Sequence, residues 1–172
     1  MLDIPNERSL HSDPVPRTGG IAILFGSGAG LLIAWYGQGH LLIAMPLGIA
    51  VIVLALVALI DDRHNLGAGI RLLAQFAAVS YLLLNSSMLD LGTPATIVAL
   101  LFLVWMINLY NFMDGMDGFA GGMAIFGFGT YAILGWQAGN LEFALGSAIV
   151  VSACTGFLLL NFPPARIFMG DV

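Results

Sequence analysis

Two carboxylates stand side by side in "LIDDRHNLGAGIRLL", where Asp61 and Asp62 directly follow an apolar run. Adjacent carboxylates repel unless a cation neutralises them. A hard ion such as Mg2+, held through one or two carboxylates together with substrate phosphates, suits such a pair. A solvated helix end with Arg63 as partner accounts for the same residues, and His64 reads as interfacial rather than as a ligand. A second constellation, "NLYNFMDGMDGFAGG", spaces Asn108, Asn111, Asp114 and Asp117 three apart. On an α-helix each such step drifts by about 60°, so the four sweep about half the circumference and only the first pair or two can point together. Gly115 and Gly118 permit backbone shapes that other residues resist, and a helix fraying or tightening into three-residue turns near Gly115 is expected. The polar groups could then line a concave rim.

A third stretch, "NFPPARIFMGDV", joins Pro163 and Pro164, which stop a helix, to Arg166 and Asp171. The guanidinium is a planar fork suited to phosphate oxygens, and Asp171 is a third candidate metal carboxylate. Asn6, Arg8, His11 and Arg17 precede "GGIAIL" in a segment shaped by Pro5, Pro14 and Pro16. Such a basic juxtamembrane loop could contact anionic headgroups or close over a phosphorylated substrate.

The elements that must position these groups are apolar. Of 172 residues 59% are hydrophobic and 9% charged, with mean hydropathy +0.97, against roughly 25% charged residues in a soluble domain. The class is therefore all-α, a polytopic membrane helical bundle. Spans of about 20 apolar residues are expected near residues 20–36, 41–60, 70–84, 93–110, 119–136 and 143–160, within one membrane domain covering 1–172. Residues 1–19 and 161–172 read as loops, and the third segment is short enough to be tilted or re-entrant.

All five basic residues are Arg: Arg8, Arg17, Arg63, Arg71 and Arg166. If six helices alternate across a bilayer, all five fall on one face, which the positive-inside rule makes cytoplasmic. Eight of the ten acids fall there too, leaving Asp90 and Glu142 opposite. That pile-up suggests a cytoplasmic site.

Several function classes drop out. A lone Cys154 in an apolar run, with no CxxC and no His/Cys cluster, excludes a disulfide framework and a zinc site. The aspartates do not alternate as an EF-hand loop requires. Gly26 and Gly30 are four apart and read as helix packing, whereas Gly118, Gly121 and Gly122 fit packing and close backbone approach to a ligand equally. An ion-coupled transporter is the main rival class, but the acids lie at one face rather than at the midplane, and no inverted repeat is visible. A noncatalytic membrane scaffold is the other alternative.

Together, "DIPNERSLHSDPVPRTGG", "DDRHNLGAGIRLLAQ", "NLYNFMDGMDGFAGG" and "NFPPARIFMGD" resemble the polyprenyl-phosphate N-acetylhexosaminyl-1-phosphate transferase family, the MraY/WecA-type membrane enzymes of glycosyltransferase family 4. The blocks occur in the family's order and span nearly the whole chain. The resemblance implies transfer of a sugar 1-phosphate from a UDP-N-acetylhexosamine to a polyprenyl phosphate at the cytoplasmic face, with release of UMP and a requirement for Mg2+, Mn2+ being the alternative ion. It implies that Asp61 and Asp62 form the catalytic DD pair and that Asp171 is the metal-binding Asp of an MGD motif. By the same resemblance Asn108, Asn111, Asp114 and Asp117 serve nucleotide-sugar binding and support of the metal site, and Asn161 and Arg166 fall in the segment that closes over the pyrophosphate. Arg17 joins the candidate substrate-binding set from the N-terminal loop. "PVPRTGG" and "NLYNFMDGMDG" look closer to the WecA-like, O-antigen-initiating branch. The acceptor would then be undecaprenyl phosphate, in a bacterial inner membrane, for cell-surface glycan synthesis. No nucleic-acid partner is implied, and a homodimer is a candidate assembly.

The family implies about ten or eleven helices of about 20 residues each, against six here. The chain starts at the loop that follows the family's first helix and stops one residue past "MGD". It is therefore expected to be a partial copy that does not catalyse by itself.

Overall fold

The computed structural model describes residues 2–3, 14–38, 45–64, 66–85 and 92–170. Six helices carry them: α1 (Gly19–Gln38), α2 (Met45–His64), α3 (Ala68–Leu84), α4 (Thr93–Met113), α5 (Phe119–Gln137) and α6 (Leu141–Asn161). Five are long and apolar enough to cross a membrane, and α3, with 17 residues, is shorter. At 1.5 Å per residue it reaches about 25 Å, just under a typical hydrocarbon core. Large apolar side chains point outward from the helices: Phe25 is 76% exposed, Phe126 81% and Trp136 71%. In water such surfaces would aggregate, whereas in lipid they are solvated. The fold is an all-α membrane bundle.

Local chemistry explains the ends of these elements. Pro46 sits in the first turn of α2, where its missing N–H costs nothing. The Asn140 side chain caps α6 by accepting from the Phe143 N–H at 3.1 Å. Phe162 is extended beyond α6, and Pro163 and Pro164, joined by a cis peptide, keep the helix from continuing. The α4 helix runs three residues further than residue 110, so Asn108 and Asn111 are helical and the chain leaves the helix at Asp114. From there the backbone makes two tight turns, with Met116 N–H donating to Met113 C=O and Phe119 N–H to Met116 C=O. Gly118 then takes a left-handed conformation, φ +72°, immediately before α5.

The chain divides into two compact units. In the first, α6 packs against both α5 and α1. Close approach depends on small residues: a Cβ added at Gly30 would stand 2.6 Å from the Ile149 side chain, and one at Gly26 would stand 3.3 Å from Ala153 Cβ. Cys154 and Phe157 of α6 are buried here. The same unit holds a two-stranded antiparallel pair, β1 (Leu2–Asp3) and β2 (Val15–Pro16), in register Leu2 with Pro16 and Asp3 with Val15. In the second unit α2 packs on α3. Val79 and Leu83 of α3 meet Val104 of α4 in a small core, with Phe76, Leu100, Leu103 and Ile107 around it.

Candidate functional site

In the second unit the polar groups lie along one end of three helices. Asp61 and Asp62 fall in the last turn of α2, which also contains Arg63 and His64. Carboxylates at a helix C-terminus face the negative end of the helix dipole, so this placement is electrostatically disfavoured and calls for positive charge. Arg71, in the first turn of α3, supplies part of it: its guanidinium donates to Asp61 Oδ2 at 3.0 Å. Asp61 is 5% exposed while the Arg71 side chain is 41% exposed, so the acid is inside and the base reaches it from the rim.

One turn along α3 stands Gln75, on the same helical face as Arg71. Its amide pairs with that of Asn108 on α4: Asn108 Nδ2 donates to Gln75 Oε1 at 2.6 Å, and Gln75 Nε2 donates back to Asn108 Oδ1 at 3.4 Å. Asn108 also donates to the Val104 C=O within its own helix. Asn111, one turn further along α4, is exposed. Thus α3 links Asp61 of α2 to Asn108 of α4 through two side chains, Arg71 and Gln75. Neither was among the candidate site residues. The signal was a polar pair at i and i+4, Arg71 and Gln75, in a helix whose other residues are apolar or small apart from Ser80 and Tyr81 near its far end.

In the first unit the remaining candidates converge on the loop after α6. Asn161, the last residue of that helix, is completely buried. Its Oδ1 accepts from the Gly118 N–H at 2.9 Å and its Nδ2 donates to the Ile167 C=O at 2.9 Å. Asp117 Oδ2 accepts from the Ala165 N–H at 2.9 Å. Asp114, 7% exposed, accepts two backbone bonds: Met169 N–H to Oδ1 at 3.0 Å and Gly170 N–H to Oδ2 at 2.9 Å. The loop also bonds to the entry of α1. Phe168 N–H donates to the Pro16 C=O, and the Phe168 and Met169 carbonyls accept from Gly19 and Gly20, whose N–H groups begin α1 and have no partner within it.

These contacts bring Arg17, Asp114, Asp117, Asn161 and Arg166 to one end of the first unit. Arg17 forms a parallel bridge with Phe168, and Arg166 is exposed, its backbone N–H turned back to the Leu160 C=O. Gly170 closes the loop at φ +80°, where a Cβ would lie 3.1 Å from the Arg17 carbonyl oxygen. Asp171, next in sequence, lies outside the described residues, as do Asn6, Arg8 and His11. Among the described residues no three His, Cys, Asp or Glu side chains are grouped to hold a metal ion.

Residues 44–172 match the family "Glycosyl transferase family 4". A protein of Bacillus subtilis (strain 168), named probable undecaprenyl-phosphate N-acetylglucosaminyl 1-phosphate transferase, is 30% identical over 99% of this chain and 50% of its own length. An undecaprenyl-phosphate alpha-N-acetylglucosaminyl 1-phosphate transferase of Yersinia pestis is 31% identical over 99% of this chain and 51% of its own. A phospho-N-acetylmuramoyl-pentapeptide-transferase of Anoxybacillus flavithermus (strain DSM 21510 / WK1) is 43% identical, over 48% of this chain and 26% of its own. The chain spans about half the length of the relatives it matches from end to end. The blocks that carry the DD pair, the Asn and Asp series and the PPAR loop lie within the matched region, and the chain belongs to glycosyl transferase family 4.

Proposed function

We propose that the whole protein transfers an N-acetylated amino-sugar 1-phosphate from a UDP-sugar to undecaprenyl phosphate, releasing UMP and beginning a cell-surface glycan. An oxygen of the lipid phosphate forms a bond to the sugar-bearing phosphorus while that phosphorus loses its bond to UMP. The observation carrying this reading is the family match over residues 44–172, joined to relatives of that activity by name aligned along 99% of the chain. The five arginines, distributed as the positive-inside rule requires for six alternating helices, favour a cytoplasmic site.

Bringing two phosphates together accumulates negative charge, so this chemistry depends on positioning and charge neutralisation. The donor set fits a hard cation: Asp61 and Asp62 offer carboxylate oxygens at a helix end that already disfavours their charge. Together with Asp171 they would hold Mg2+, with Mn2+ as the alternative. When bound, the ion neutralises and orients the diphosphate. Arg71 holds Asp61 in place, and the other carboxylate of the pair orients the lipid phosphate or takes its proton. Arg166, Arg17 and Asn111 contribute donors for the nucleotide-sugar.

The test is UMP release and radiolabelled lipid formation by the purified full-length protein with UDP-N-acetylglucosamine and undecaprenyl phosphate. Activity should vanish with EDTA and return with Mg2+. Asp61→Asn and Asp171→Asn should each lower turnover by about 10²-fold or more, the order of a lost electrostatic contact to the transition state. Near-normal turnover in either variant would overturn the assignment.

A further inference from the structure

One donor is left over at the amide pair between α3 and α4. Asn108 Nδ2 carries two hydrogens, and both are committed: one to the Val104 C=O at 2.8 Å, the other to Gln75 Oε1 at 2.6 Å. Turned over, the Asn108 amide would set its oxygen against the Val104 carbonyl, so its orientation is fixed, and with it that of Gln75. Gln75 Oε1 therefore faces α4. Gln75 Nε2 also carries two hydrogens, and among the described residues one of them is used, on the long 3.4 Å contact to Asn108 Oδ1. The two N–H bonds of an amide diverge within its plane, so the second points away from Asn108. Gln75 is half-buried and Asn108 exposed, which puts the pair within reach of a ligand. We infer that Gln75 is a substrate-binding residue whose remaining Nε2 N–H donates to a phosphate oxygen, and that Asn108 is the positioning residue that holds it donor-outward. This inference rests on the transferase reading of the protein.

The neighbours select the ligand's chemistry. Arg71 stands four residues before Gln75 on the same face of α3, and its side chain, 41% exposed, gives that face a permanent positive charge. No acid lies in α3. A neutral donor beside a guanidinium suits an oxygen that carries negative charge, because hydrogen bonds with an ionised partner are about twice as strong as neutral ones. Both proposed substrates bring such oxygens, the UDP-sugar in its diphosphate and undecaprenyl phosphate in its single phosphate. Asn108 has no N–H left to offer them, so on this pair the contact falls to Gln75. A glutamine also adds a directed donor without a second charge to compete with Arg71 for Asp61.

Gln75→Glu isolates the outward hydrogen. The new carboxylate still accepts from Asn108 Nδ2, so the pair survives, but an oxygen replaces the outward N–H. In the full-length protein kcat, the KM for UDP-N-acetylglucosamine and the KM for undecaprenyl phosphate are measured for this variant and for Gln75→Leu. Both variants should raise the same one of the two KM values, Gln75→Leu about fivefold and Gln75→Glu further; with turnover lowered by about the same factor, the neutral variant loses about 25-fold in kcat/KM, in the range of a hydrogen bond to a charged group. Because Gln75→Leu is neutral, a general effect of added charge cannot produce this result. The KM that rises identifies the phosphate, and where it is that of the UDP-sugar, inhibition by UDP, which carries the diphosphate without the sugar, should weaken in parallel. Gln75→Glu with kcat and both KM values within about twofold of the unsubstituted protein would overturn the inference and leave Gln75 as a prop for Asn108. A raised KM for UDP-N-acetylglucosamine with unchanged inhibition by UDP would also overturn it, placing the contact on the sugar. Asn108→Asp covers the case in which Gln75→Glu does not fold: its carboxylate draws the Gln75 amide round to donate to it and turns Oε1 outward, so the same KM should rise, and unchanged KM values there would count against the inference. If the unsubstituted protein forms no lipid product, the transferase reading fails instead, while equilibrium binding of UDP and of undecaprenyl phosphate, each alone, still reports whether Gln75 meets a phosphate.

Discussion

Arg71 reaches from the first turn of α3 to Oδ2 of Asp61 at 3.0 Å, joining the base that the sequence places after "GAGI" to the first acid of the DD pair. The pair answers an electrostatic problem created by the helix itself, since Asp61 lies at the negative end of α2's dipole. Arg71→Ala should lower turnover at least tenfold while costing only about 1 kcal/mol of stability, because an ion pair with one partner near solvent contributes little to folding. Arg71→Lys should restore part of the turnover. Steady-state kinetics and thermal unfolding in detergent check both parts.

The next contact along α3 is amide to amide. Gln75→Leu removes both of its bonds with Asn108 and leaves Asn108 only its bond to the Val104 C=O among those described above. At 3.4 Å the second of these bonds is long and weak, so the loss is close to that of one hydrogen bond, about 1 kcal/mol or roughly fivefold, and turnover should fall by about that factor. The double variant Gln75→Leu with Asn108→Leu should be no worse than the first alone, read from a double-mutant cycle.

Asn161 is the most enclosed polar side chain of the described residues. Asn161→Ala leaves the Gly118 N–H and the Ile167 C=O without this partner. Each partly buried group left unpaired costs about 1–3 kcal/mol, so with two of them the variant should lose about 2–6 kcal/mol. A lowered unfolding temperature, or loss of folded protein from the membrane fraction, would be the readout.

Glycines in the same chain should respond in opposite ways. Gly170→Ala forces a side chain into φ +80° and toward the Arg17 carbonyl, a cost of about 1–2 kcal/mol that should appear as faster exchange in residues 162–170. Gly122→Ala meets nothing within 4 Å and lies inside α5, so it should be neutral or stabilising by up to ~1 kcal/mol. Comparing unfolding temperatures of the two tests the assignment.

The sequence by itself determined the class, an all-α membrane bundle of six apolar helices, because apolar runs of spanning length are set by local composition and need no tertiary information. It also showed that four groups three apart cannot share a helical face, and the chain does leave the helix at Asp114 and turn at Gly118. Family membership was legible for the same reason: the blocks are contiguous strings. What the tertiary structure decided is whom each polar group faces. Nothing local says that Asp114 meets the amides of residues 169 and 170, some fifty-five positions on, or that Asn161 ties the start of α5 to the loop beyond α6. Arg71 and Gln75 escaped notice because one Arg and one Gln in an apolar helix look like ordinary interfacial residues until their partners on α2 and α4 are placed beside them. Hydrogen bonds act over about 3 Å, and only the packing of helices distant in sequence brings such groups within that reach.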